Sequence, residues 1–261
     1  MNNEQTMSEI PMPASLTICV CLVVGFWMSC VGTEVGNPQT IESEIEFSGY
    51  EHEDARALTL ESGITIDRAW LNVESIEFSD AADCDGQEIS QMQGPFAFDL
   101  LGGRELPSKP ILTHHGEGFC KMKVRLRTAD VLVDGSPDEL LESSLFIEGT
   151  YEDGTSFTIA AELNATYVLA ARDERGFVFD RDSHPLVGIA LDTLVDATLL
   201  DESIDRQEDG SVLVDKNNNQ NALSGLRQDL RASFRLFDDR EKDGEVDPEV
   251  DLLLAEGELS P

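Results

Sequence analysis

The side chains best placed to do chemistry lie near the C-terminus, in the run Asp238-Asp239-Arg240-Glu241-Lys242-Asp243-Gly244-Glu245-Val246-Asp247-Pro248-Glu249-Val250. Asp239, Glu241, Asp243, Asp247 and Glu249 are spaced carboxylates, and Gly244 supplies a sharp turn among them. Ca2+ takes about six to eight hard oxygens, which a tight loop delivers from alternate positions. The chemistry expected of the five is cation binding rather than bond making. The plain alternative is a solvated acidic segment with Arg240 and Lys242 lowering its charge.

The spacing resembles an EF-hand calcium loop in degenerate form. With Gly244 sixth, Asp239 comes first, Glu241 third, Asp243 fifth and Asp247 ninth, but Val250 takes the twelfth place, where a bidentate Glu is needed. Starting from Asp238 makes Glu249 twelfth, at the cost of placing Arg240 and Lys242 at ligand positions. The resemblance implies a helix leading into the loop and a weak structural site.

A second group is His114-His115, expected in a Gly-flanked loop. Histidine is a common copper and zinc ligand, so the pair supports an alternative reading as an envelope metal-handling protein. Neighbouring side chains on a strand point to opposite faces, which makes such a pair a poor chelate. Otherwise the sequence holds no Gly-rich phosphate loop, no G-x-S-x-G, no H-E-x-x-H and no C-x-x-C. The expectation is a non-enzyme.

The net charge of −34 argues against nucleic acid and against docking on anionic lipid, both of which need a basic surface. Leu16 to Ser29 is an apolar run ending just before Cys30. A bilayer span needs about 20 apolar residues, so the run suits the core of a secretion signal better. We expect residues 1–29 to be a signal peptide and 30–40 a tether lipidated at Cys30. A leader cleaved without lipid and a short anchor are the other readings, since Met1 to Ser15 carry no Lys or Arg. Export implies an oxidising compartment, where Cys84 and Cys120 are expected to form a disulfide; free thiols or soft-metal ligands are the alternatives.

Cys30 followed by Thr33-Glu34-Val35-Gly36-Asn37-Pro38 resembles the leader of uncharacterised lipoproteins of Gram-negative bacteria. That resemblance implies attachment to the outer membrane, facing the periplasm or the cell surface.

The elements that must position these groups read mostly as strands. Ile41, Ile45 and Phe47 alternate with Glu42, Glu44 and Glu46. Ile64 to Phe78 fits helical spacing as well, but its β-branched content favours a bulged strand. Ser79 to Gly94 is expected as a loop carrying Cys84, and Phe96 to Leu101 as a short strand. Along Gly118 to Arg127, Cys120, Met122, Val124 and Leu126 face one way, and Lys121, Lys123, Arg125 and Arg127 the other. This basic stripe is expected to pair with the Glu42, Glu44, Glu46 stripe on an adjacent strand. A hairpin is expected around Asp153-Gly154, with more strands at Thr166–Ala170, Phe177–Phe179, Leu186–Leu191 and Ser211–Val214. Asp192 is expected to cap a helix over Thr193–Leu200. Leu223, Leu226, Leu230, Phe234 and Phe237 predict an amphipathic helix from Asn221, capped by Asn219 or Asn221.

The segments AWLNVESIEFS, FDLLGG and FCKMKVRLR resemble lipoprotein domains of unknown function with prealbumin- or immunoglobulin-like sandwiches, over roughly Ile41 to Leu191. The fold class expected is therefore mainly β: a β-sandwich over residues 41–200, followed by an acidic helical region over 201–261 that carries the calcium-like loop. The function expected is a lipid-anchored envelope protein with a structural, adhesive or partner-binding role. Its expected partners are the membrane, through the lipid, and envelope proteins.

Overall fold

The computed structural model describes residues 39–50, 59–84, 88–128, 130–200 and 203–257. The chain divides into Met1–Gln39 and Thr40–Pro261. The leader, Cys30 and the tether as far as Pro38 lie outside the described residues. The second part holds the strands and helices described.

That part is mainly β. Its strands are β1 (Ile41–Glu44), β2 (Glu46–Tyr50), β3 (Thr65–Asp80), β4 (Glu88–Asp99), β5 (Arg104–Leu106), β6 (Ile111–His114), β7 (Gly118–Leu126), β8 (Leu145–Thr150), β9 (Ser156–Ala161), β10 (Ala165–Ala171), β11 (Phe177–Val178), β12 (Pro185–Ala190), β13 (Val212–Val214), β14 (Phe234–Asp238) and β15 (Leu252–Gly257). Two helices, α1 (Leu191–Leu199) and α2 (Gln220–Ser233), pack on each other. No helix among the described residues is long and apolar enough to cross a membrane.

β3 is the spine. Trp70 and Leu71 pair with β8 on one edge and β4 on the other, while Val73 pairs with β7 and β4. One edge of β3 therefore carries β8 and then β7, and the opposite edge carries β4. Irregularities between Ile66 and Arg68 and between Val73 and Ser75 each shift the inward parity by one residue. This is why Ile66, Ala69, Val73 and Ile76 mimic helical spacing yet all lie in the main core. Trp70 does not join them. It points to the other face, into a small cluster with Ala97, Leu140 and Phe146.

The main sheet runs β13-β9-β8-β3-β7-β10-β15-β14-β12-β2, and β1 and β6 form a separate two-stranded sheet. Residues from across this path, among them Phe47, Val73, Met122, Ile159, Val187 and Leu236, share one buried cluster. The sheet thus folds over itself as a sandwich, with α1 and α2 adding Leu194, Val195, Leu226 and Leu230 to the filling. The hairpin at Asp153-Gly154 forms, with Gly154 at φ +82°, a conformation that suits glycine.

Several sequence expectations are corrected. Ser79 to Gly94 is mostly strand, because β3 reaches Asp80 and β4 starts at Glu88. Polar residues of this segment bond across strands, as Gln91 Nε2 does to Glu77 Oε1 at 3.0 Å. The basic stripe of β7 does not meet β1 or β2. β1 pairs with β6 and β2 with β12, while β7 lies between β3 and β10. Its acidic neighbours come from β3: Glu77 is opposite Lys123, and Glu74 contacts Arg125 and Arg127. Glu44 and Glu46 pair instead with Lys109. A charge stripe fixes sign but not partner; the apolar faces choose the neighbour.

Asp192 lies inside the first turn of α1, which is capped by Ala190 without a side-chain bond. Asn219 is the N-cap of α2 but is left-handed, and its side chain bonds Asp205 and Leu213. The predicted C-terminal helix stops at Ser233. Phe234 and Leu236 face the main core and Phe237 the opposite side, so the last apolar residues obey strand geometry. Residues after 200 contribute the helix α2 and three strands of the main sheet, β13, β14 and β15, the last two beyond the sequence expectation.

Candidate binding cleft

The five carboxylates singled out in the sequence sit in the connection between β14 and β15. It is therefore flanked by strands, where an EF-hand would have helices. Asp239 is buried, and its carboxylate accepts the Lys242 N–H at 2.6 Å and the Gly244 N–H at 2.9 Å. Asp251, also buried, accepts the N–H groups of Arg240 at 3.0 Å and Asp247 at 2.8 Å. Burial pushes the Asp251 carboxyl up, partly offset by those two bonds, and Asp239 and Asp247 push it up further. Asp243 and Asp247 accept the N–H groups of Glu245 and Glu249. Glu241 and Glu249 are exposed. The aspartates Asp239, Asp243, Asp247 and Asp251 are thus engaged with the loop's own main chain. Among the described residues, no three His, Cys, Asp or Glu side chains are grouped so as to hold a metal ion.

The pair is not a loop pair: His114 ends β6 and is buried while His115 is exposed, so the two side chains point apart. His114 Nδ1 accepts the Gly116 N–H at 3.2 Å, which leaves Nε2 to donate to Ser43 Oγ, also at 3.2 Å. Burial lowers its pKa, and the rings of Phe119 and Phe179 flank it edge-on. Cys84 and Cys120 are joined as a disulfide, with Cα atoms 5.8 Å apart. It ties the β3–β4 connection to β7.

A different place has the shape of a binding site. After β7 the chain leaves the sheet and folds over the outer face of β3 and β8, with a single 3-10 turn at Asp138–Leu140. Leu132, Val133 and Leu140 bury Trp70 and Phe146 there. At the rim of this second core opens a cleft of about 500 Å3, within the size range of small-molecule sites. β3 lines it with Asp67, Arg68 and Trp70, the β4–β5 turn with Asp99, Leu101 and Gly102, β5 with Arg104, and the overlying loop with Gly135, Ser136 and Pro137.

The turn is built locally. Asp99 Oδ1 accepts the Leu101 and Gly102 N–H groups at 3.3 and 3.0 Å, and Gly103 takes φ +59°. This brings Arg104 opposite Asp99 across the strand pair. The Arg104 guanidinium carbon sits 5.0 Å from the Trp70 ring centroid, and Nη2 donates to Gly135 O at 3.4 Å. Arg68 is held differently. It lies 5.1 Å over the Phe146 ring and is matched by Glu139 and Glu148, each at 3.0 Å.

A scan against protein-family models finds no match, and no curated protein matches the chain. Among solved structures, it is similar to MbnP from Methylosinus trichosporium, with a TM-score of 0.39 and 13% identity over 66% of this chain and 82% of that one. At that score the likeness carries no functional argument.

The lining contains neither histidine nor thiol. Its one hydroxyl, Ser136 Oγ, donates to Val133 O at 2.7 Å. The lining offers the carboxylates of Asp67 and Asp99 and the guanidinium groups of Arg68 and Arg104, groups able to recognise a polar ligand. Sequence reasoning took Trp70 only as part of the Ile64–Phe78 strand and passed over Arg104. Their meeting depends on the bulge that turns Trp70 outward and on the turn that returns Arg104 to it, and local patterns do not reveal the second.

Proposed function

We propose that the chain is a non-enzymatic binding module of the cell envelope, acylated at Cys30, held at the outer membrane, and using the Trp70–Arg104 cleft to recognise its partner. The observation that carries the binding role is a charged guanidinium held against a buried tryptophan at the mouth of an open cleft. The tether is supported by the apolar run before Cys30 and the Thr33–Pro38 stretch after it. Stable membrane attachment through lipid takes two or more acyl chains.

The test has two arms. Mass spectrometry of the protein from membranes finds a first residue Cys30 carrying acyl chains; an intact Met1 in a soluble fraction would sink the tether. Thermal-shift screening of the processed protein against a library of small polar metabolites finds stabilisers that lose their effect on Arg104→Gln. Stabilisers acting equally on both proteins would move the site elsewhere.

A further inference from the structure

We infer that the cleft takes a carboxylate, received by the edge of the Arg104 guanidinium, on a ligand that also bears amine or hydroxyl donors. This rests on the reading of the cleft as a binding site and names what it would bind.

Among the described residues, Arg104 is held in the cleft without a carboxylate partner. The chain has 52 acidic residues against 18 basic ones, so an arginine is expected to find a carboxylate nearby. Arg68, its neighbour in the cleft, has two. Among the described residues, Arg104 enters no ion pair within 4.0 Å; it is placed instead by the Trp70 ring and by one bond to Gly135 O. Guanidinium donors lie in the plane of the group, and a ring below it leaves that edge open. The arginine is therefore fixed in position, charged, and short of acceptors. A carboxylate meets this fork with two parallel bonds.

The other charges narrow the choice. Asp67 and Asp99 also line the cleft, and they repel a doubly charged phosphate more than a singly charged carboxylate. Asp67 is exposed and is free to accept from an amine or hydroxyl. The class recognised is thus an amino acid or the C-terminal end of a short peptide, both carrying a carboxylate with N–H donors close by.

Trp70 and Trp27 are the chain's two tryptophans. In the full chain carrying Trp27→Phe, fluorescence therefore reports the cleft whether or not the leader is removed. The probes are alanine, trialanine, trialanine amide and inorganic phosphate. We expect saturable quenching or enhancement by alanine or trialanine, on the order of tenfold weaker binding of the amide, and a similar loss in Arg104→Gln. Alanine and trialanine separate the two sources: equal affinities indicate a free amino acid, and tighter trialanine a peptide end. A response to the amide or to phosphate that matches or exceeds the free acids, and is lost in Arg104→Gln, overturns the carboxylate while leaving the cleft as the site. Silence of Trp70 to every probe, with the same probes failing to shift the melting temperature, overturns both.

Discussion

His114 Nε2 lies 3.2 Å from the Ser43 hydroxyl, closing the small β1–β6 sheet from inside. Both ring nitrogens are occupied when the imidazole is neutral, because Nδ1 accepts the Gly116 N–H. Protonation would turn that acceptor into a donor facing a donor. Burial lowers the pKa below the ordinary value of 6.5; Glu117 pulls it back up and His115 pushes it further down. The unfolded chain thus takes a proton that the folded chain refuses. The stabilisation is complete above pH 6.5 and is lost as pH falls from there through the lower folded value. Urea unfolding at pH 5 and pH 7.5 should show a smaller difference in His114→Gln than in the parent. Identical differences would remove His114 from the acid response.

The Cys84–Cys120 disulfide closes a separation of 36 residues. On the chain-entropy account this stabilises by about 4 kcal/mol. The double replacement by serine should lower the denaturation midpoint accordingly, and reductant should shift the parent but leave the double variant unmoved. A parent insensitive to reductant would mean that the bond contributes little.

Asp239 holds its loop through two main-chain N–H groups. Asp239→Ala removes the shared, buried acceptor of two partly exposed N–H groups, at a cost of about 2 kcal/mol. If those bonds alone organise the loop, the loss is the same with millimolar calcium or with chelator. A parent protein whose melting temperature rises with calcium, while Asp239→Ala does not respond, would restore the cation to this loop.

Gly149 is in β8, opposite Ile66, and a Cβ there would run into the Thr65 carbonyl oxygen and the Phe157 ring. Gly149→Ala is expected to lower the melting temperature sharply, because the obstruction is backbone and cannot swing aside. Gly103→Ala meets nothing within 4 Å, so its penalty comes from φ +59° alone and should be about 1 kcal/mol. Comparable losses in both would contradict the packing account at Gly149.

Much of the strand content was legible because alternation survives wherever one face is buried, as from Cys120 to Leu126. The bulged β3 was legible too, from its β-branched content. Partner choice was not. Glu42, Glu44 and Glu46 matched the β7 stripe in sign, yet strand adjacency is set by burial across the whole sandwich. Phe234 and Phe237 continued the helical period of α2 by coincidence; pairing with β12 and β15 overrides it. The acidic loop displayed its carboxylates in sequence but not their acceptor roles, since a carboxylate that caps its own backbone looks the same there as one awaiting a cation. The cleft left no local trace, because it is assembled from β3, the β4–β5 turn and the excursion after β7.

The order of the sheet has a temporal consequence. β15, the last strand, is inserted between β10 and β14 in the interior of the path. Until its residues leave the ribosome, the two strands on either side have a gap between them and the sandwich stays open. A nascent chain of this design cannot close its sandwich before β15 is made.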